Sequence, residues 1–196
     1  MKNSSGLTLI EALVILVIIG FLASIRKNCG HIPPEKAKLL SASSSARAIV
    51  KLCALMQVDE IGSGDSNVCS WPTNAACFPR WMNSLTNYWG TNDLAKLFSA
   101  EDVKVTSWNA NQGPNTNVYF IYPVTSDSPS NAILMTSRNY RLPTSGNGPA
   151  LVATDKPFGT NGAVVVTKDR SSQVITARQA TNDVSSIGIV EGAPLN

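Results

Sequence analysis

Histidine is nearly absent from this sequence, which carries a single copy at position 31. A serine or cysteine nucleophile activated by an imidazole would have to use His31, and a metal site built from several histidines is excluded outright. There is no GxSxG elbow, no phosphate-binding glycine loop and no zinc-type pair of closely spaced cysteines. The four cysteines stand at positions 29, 53, 69 and 77, without a CxxC among them. Charge is scarce as well: 16 basic and 13 acidic residues leave a net of +3, a balance that argues against nucleic acid as a partner. An enzyme is therefore not expected, and no resident cofactor is required.

What the chain has instead is one long apolar run. From Leu7 to Ile25 the only charged residue is Glu11. At about 1.5 Å per residue the run spans roughly 28 Å as a helix, close to the hydrocarbon core of a bilayer. It reads as a membrane segment in contact with lipid. A carboxylate there costs on the order of 2.5 to 3.5 kcal/mol on insertion scales, so Glu11 needs a reason to be present. A secretory signal peptide fits poorly, because an A-x-A-like site is missing near Ala23 and a charge interrupts the apolar region. Lys2 precedes the run and Arg26 and Lys27 follow it, so flanking charge does not orient it in the membrane.

The stretch Gly6-Leu7-Thr8-Leu9-Ile10-Glu11, followed by a long apolar helix, resembles the N-terminal signature of type IV pilins and type II secretion pseudopilins. In that family a membrane peptidase cuts after the glycine and methylates the new N-terminus, and the fifth mature residue is a glutamate. The resemblance implies cleavage between Gly6 and Leu7, with Glu11 as the assembly residue. Leu7 stands where the family most often has phenylalanine. The partners implied are other pilin or pseudopilin subunits, a prepilin peptidase and an inner-membrane assembly platform. The location implied is the bacterial inner membrane, single pass, with the globular domain extracytoplasmic, and later a periplasmic pseudopilus or cell-surface pilus. The physical reading is compatible: an amine freed at Leu7 is cationic at neutral pH and can be neutralised by Glu11 within one subunit or by the Glu11 of a neighbour, and the resemblance implies the second. An alternative from another class is a tethered binding protein that never polymerises and holds a ligand through its tryptophan-rich region.

The expected organisation is a leader over residues 1–6, a membrane and assembly helix over 7–28, a break over 29–34 and one extracytoplasmic domain over 35–196. The break rests on Cys29-Gly30-His31-Ile32-Pro33-Pro34, where glycine caps a helix and each proline removes an amide donor. Beyond it Leu39, Ala42, Ala46, Ile49, Val50, Cys53 and Met56 share one helical face, opposite Ser41, Ser44, Arg47 and Lys51. Two short helices are expected over Trp81–Tyr88 and Asn92–Phe98, the second capped by Asn92. The tryptophans at 71, 81, 89 and 108 read as a satellite core rather than a binding platform, since their wide spacing gives no stacking ladder.

From Val103 the texture becomes short β runs. Strands are expected at Val118–Tyr122, Ala132–Thr136, Leu151–Thr154, Ala163–Thr167 and Gln173–Ala177, with turns at Asn147–Pro149 and Asp169–Ser172 and a weakly ordered tail from Thr181. The fold class is α+β, and the resemblance makes it pilin-like: a long N-terminal hydrophobic helix, then an amphipathic helix packed on a small antiparallel sheet. An extracytoplasmic domain permits disulfides, and Cys69 and Cys77 are the best pair on spacing. Cys29 and Cys53, on one continuous helix, would lie about 36 Å apart and could not pair. Cys53 is then a buried thiol or a partner of Cys69 or Cys77. Some pseudopilins bind calcium near the C-terminal hairpin, which makes Asp155, Asp169 and Asp183 candidate ligands by resemblance. They are far apart in sequence and no loop reads as a calcium box, so solvated turns are the preferred reading.

Overall fold

A computed structural model of the chain describes residues 9–28, 34–64, 68–100, 103–109, 113–114, 117–140, 158–180 and 187–196. It divides into two compact units, Met1–Pro33 and Pro34–Asn196. The first unit contributes helix α1 (Leu9–Asn28). Every large apolar side chain described on it, from Leu9 to Ile19, is exposed. A helix apolar on all sides is suited to surroundings that are themselves apolar.

The second unit opens on α2 (Pro34–Ser63). A proline is well placed at a first helical position, where its missing amide would have no partner in any case. The seven residues of the expected stripe, Leu39, Ala42, Ala46, Ile49, Val50, Cys53 and Met56, are all buried, while Ser41, Ser44, Arg47 and Lys51 are exposed. Each fully buried large side chain contributes roughly 1.5 to 3 kcal/mol. By length and hydropathy α2 also passes as a membrane span, but half of that window is buried inside the folded unit, which marks it as the core helix.

Helices α3 (Phe78–Trp89) and α4 (Thr91–Leu97) follow. The first starts earlier than the sequence suggests, because Pro79 lies in its first turn rather than in a loop. Asn92 is not the cap of the second: Gly90 ends α3 and starts α4, donating its amide to Thr86 O at 2.8 Å and accepting from Leu94 N at 3.3 Å. Its φ of 78° lies in the region that glycine enters without a steric cost.

Strands β1 (Trp108–Asn109) and β2 (Gly113–Pro114) form a small antiparallel ribbon that the β pattern does not signal. The main sheet is antiparallel, with β3 (Tyr119–Ile121), β4 (Ile133–Ser137), β5 (Ala163–Thr167) and β6 (Ser172–Ile175) in sequential order, and α5 (Ala177–Ala180) ends the run. These match four of the five expected strands; Leu151–Thr154, the Asn147–Pro149 turn and the loop residues 29–33 lie outside the described residues. The residues of β4 and β5 are buried throughout, because the sheet is covered on both faces. Leu134, Val164 and Val166 join the cluster that includes the α2 stripe, while Ile133, Ala163 and Val165 join a second cluster with Tyr122 and Tyr140.

Polar contacts fix α2 on the sheet. The Tyr119 hydroxyl donates to Ala42 O at 2.8 Å, Ser43 Oγ lies 2.6 Å from Ser172 Oγ, and Arg47 Nη2 donates to Ser172 O at 3.2 Å. The second cluster is closed by the tail, whose described part is not loose. Ile187 and Val190 pack on it, Ile133 N donates to Ile189 O at 2.8 Å, and Ile189 N donates to Asn131 O at 3.1 Å. Gly188 fits there because a Cβ would stand 2.4 Å from Asn131 O. At the outer edge of β3, Asn196 Oδ1 accepts from Ile121 N at 2.9 Å and Nδ2 donates to Tyr119 O at 3.2 Å, so one side-chain amide satisfies a stretch of strand edge.

Candidate functional site

The first site residue the structure describes is Glu11. It lies in the first turn of α1, where a carboxylate complements the positive end of the helix dipole, and it is exposed. Leu9, Ile10, Leu13, Val14 and Ile15 flank it with exposed apolar side chains. The twenty residues of α1 span about 30 Å. The arrangement is a single carboxylate near one end of an apolar rod. The chemistry open to it is that of burial and charge pairing. Gly6 and Leu7 lie outside the described residues, as does His31.

Of the calcium candidates only Asp169 is described. Its carboxylate accepts from Ser171 N at 2.9 Å and from the Thr167 hydroxyl, closing the turn between β5 and β6. The Thr167 hydrogen bond, with the Ser171 amide, holds the Asp169 carboxyl below its ordinary range. Asp155 and Asp183 lie outside the described residues, and no group of three metal-ligating side chains occurs among those described.

The cysteines are brought together more closely than their spacing alone requires. Cys53, Cys69 and Cys77 are free thiols in this structure. Cys53 is fully buried on α2, beside the indole of Trp81, and burial pushes its thiol up to about 12. Cys69 and Cys77 line one cavity of about 510 Å³ together with Glu60, Trp71 and Arg80. The loop carrying Cys69 is held on two helices: its amide donates to Ser84 Oγ at 3.3 Å, Ser70 Oγ donates to Glu60 at 2.6 Å, and Trp71 Nε1 donates to Gln57 Oε1 at 2.9 Å. Arg80 is one turn along α3 from Cys77 and donates to its sulfur at 3.6 Å. That relation is hidden in the sequence because the expected helix begins only at Trp81; once α3 starts at Phe78, the Cys77 to Arg80 spacing is a helical one.

Trp71 and Trp81 are buried in the principal core rather than in a satellite, Trp108 packs against that core, and Trp89 is more exposed. The tryptophan-rich region therefore does not present a flat aromatic platform. Lys168 Nζ lies 5.7 Å from the centre of the Trp71 ring.

Comparison with characterised proteins and with solved structures finds no match. Comparison with family models finds one: residues 1–25 match the model described as the prokaryotic N-terminal methylation motif. The match covers Gly6, Leu7 and Glu11 and runs into α1. A motif of this kind belongs to structural precursors that a prepilin peptidase processes and that assemble with other pilin subunits. The chain carries, at residues 1–25, the methylation motif that is the signature of type IV pilins and pseudopilins.

Proposed function

We propose that the chain is cut between Gly6 and Leu7 and polymerises through its N-terminal helix as a minor pilin of a type IV pilus or a pseudopilin of a type II secretion system. Its globular unit is then a pilin-like domain in which α2 packs its apolar stripe on the sheet. The observation that carries this reading is the methylation motif at residues 1–25 leading into a helix whose described apolar side chains are exposed. Such a rod is costly in water and stable in lipid or against copies of itself. Leu40, Leu55, Val58 and Ile61 on α2 are also exposed and offer further apolar surface to neighbouring subunits. A minor or pseudopilin role suits the closing β5–β6 hairpin and a sequence whose last cysteine is Cys77, which leaves no C-terminal disulfide loop of the major-pilin kind.

The mechanism is charge-templated addition. Cleavage leaves a cationic amine on Leu7, and Glu11 follows four residues later. Within one subunit these charges sit near the membrane edge; in a filament the Glu11 of one copy meets the Leu7 amine of the next. In a medium of low dielectric either charge alone is costly, and removing one partner of such a pair costs about 3 to 5 kcal/mol. Only the axial register that pairs them is then populated. Glu11→Ala should leave the protein inserted in the membrane, since the substitution removes an insertion cost, but should abolish filaments seen by electron microscopy. Filaments of wild-type yield from the variant would refute the mechanism.

A further inference from the structure

We infer that Cys69 and Cys77 form an asymmetric thiol-exchange site, in which Cys77 attacks the disulfide of an oxidant and Cys69 resolves the mixed disulfide into an intramolecular bond. Three features of the geometry carry this. Both sulfurs line the same open cavity, so a disulfide-bearing partner has access to them. Cys77 is the N-cap residue of α3, and the Arg80 guanidinium donates to its sulfur at 3.6 Å. Cys69, by contrast, is half-buried and its thiol donates to Trp71 O at 3.1 Å, which keeps the proton on sulfur.

The protonation preferences agree with this division. A hydrogen bond from Thr73, then Arg80, lowers the Cys77 thiol below its ordinary value. Burial first, and the neighbouring Cys77 second, push Cys69 up to about 11. The thiolate is the attacking species, so Cys77 reacts first. Attack forms a bond from Cys77 Sγ to one sulfur of the oxidant and releases the other as a thiolate. Cys77 then carries no negative charge, so its contribution to holding the proton on Cys69 disappears. Cys69 loses its proton to solvent and attacks Cys77 Sγ, and the second oxidant sulfur departs. Two electrons pass from the pair to the oxidant disulfide, and the closed ring joins the Trp71 loop to the start of α3. Cys53 takes no part, because it is sealed inside the core.

The chemistry is independent of filament assembly and can be tested on the full chain in detergent, fully reduced. At neutral pH iodoacetamide should label Cys77 at least about tenfold faster than Cys69, with Cys53 labelled only after unfolding. Oxidised glutathione should convert the wild type to a Cys69–Cys77 disulfide in peptide maps made without reduction. Cys69→Ser should stop with glutathione on Cys77, whereas Cys77→Ser should acquire little on Cys69. Faster labelling of Cys69 than of Cys77, a stable glutathione adduct in the wild type, or a disulfide that includes Cys53 would each overturn the assignment.

Discussion

Asp169 shows how much of this fold is held at turns by single side chains. Its carboxylate bonds both the hydroxyl of Thr167 and the amide of Ser171, across the connection between β5 and β6. Those bonds favour the ionised form, so its folded value lies below that of the unfolded chain. The stability it contributes is fully present above the unfolded carboxylate range and is lost as pH falls through the lower, folded value. Thermal melts of the wild type and Asp169→Asn, followed from neutral to strongly acidic pH, should therefore converge as acid is added. A gap that stays constant with pH would show that the carboxylate's charge is not what matters. At the same scale, the free thiol of Cys53 and the indole of Trp81 illustrate polar atoms placed in the core: the indole N–H of Trp81 is buried without a normal hydrogen-bond partner and stands beside that sulfur.

Among the elements, α2 was the most legible in sequence. Seven apolar residues at helical spacing define its buried stripe, and no distant partner is needed to read them. The β5–β6 hairpin was legible too, from two β-branched runs around a polar turn. The start of α3 was not, because Pro79 signals a turn whenever the helix boundary is unknown, yet the same residue is well tolerated in a first helical turn. The tail was the larger miss. Its described residues hold no continuous apolar period, and their role is to satisfy the edge of β3 and to seal the second cluster through Ile187 and Val190. Such roles depend on neighbours remote in sequence. Asn196→Ala removes two hydrogen bonds to Tyr119 and Ile121, and each is ordinarily worth about 0.5 to 1.5 kcal/mol. Urea unfolding should place the variant about 1 to 3 kcal/mol below the wild type. An unchanged midpoint would mean that the edge of β3 does not need this amide.

For the molecule as a whole, the division of labour follows composition. The large apolar side chains described in the first unit are exposed, and the second unit has a core of its own. The candidate site was legible before the structure because it is a local motif, Gly6-Leu7-Thr8-Leu9-Ile10-Glu11, and needs no fold to bring its parts together. The cysteine site was only half legible: spacing pointed to Cys69 and Cys77, but Arg80, Glu60 and the cavity come from the packing of α3 and the Trp71 loop against α2. In the proposed assembly the first six residues are removed so that a Leu7 amine can meet Glu11 of a neighbouring copy. Mass spectrometry of the mature N-terminus, on protein recovered from membranes of cells that contain a prepilin peptidase, tests it most directly. A chain beginning at N-methylated Leu7 is the predicted result, and a chain that keeps Met1 through Gly6 would contradict it.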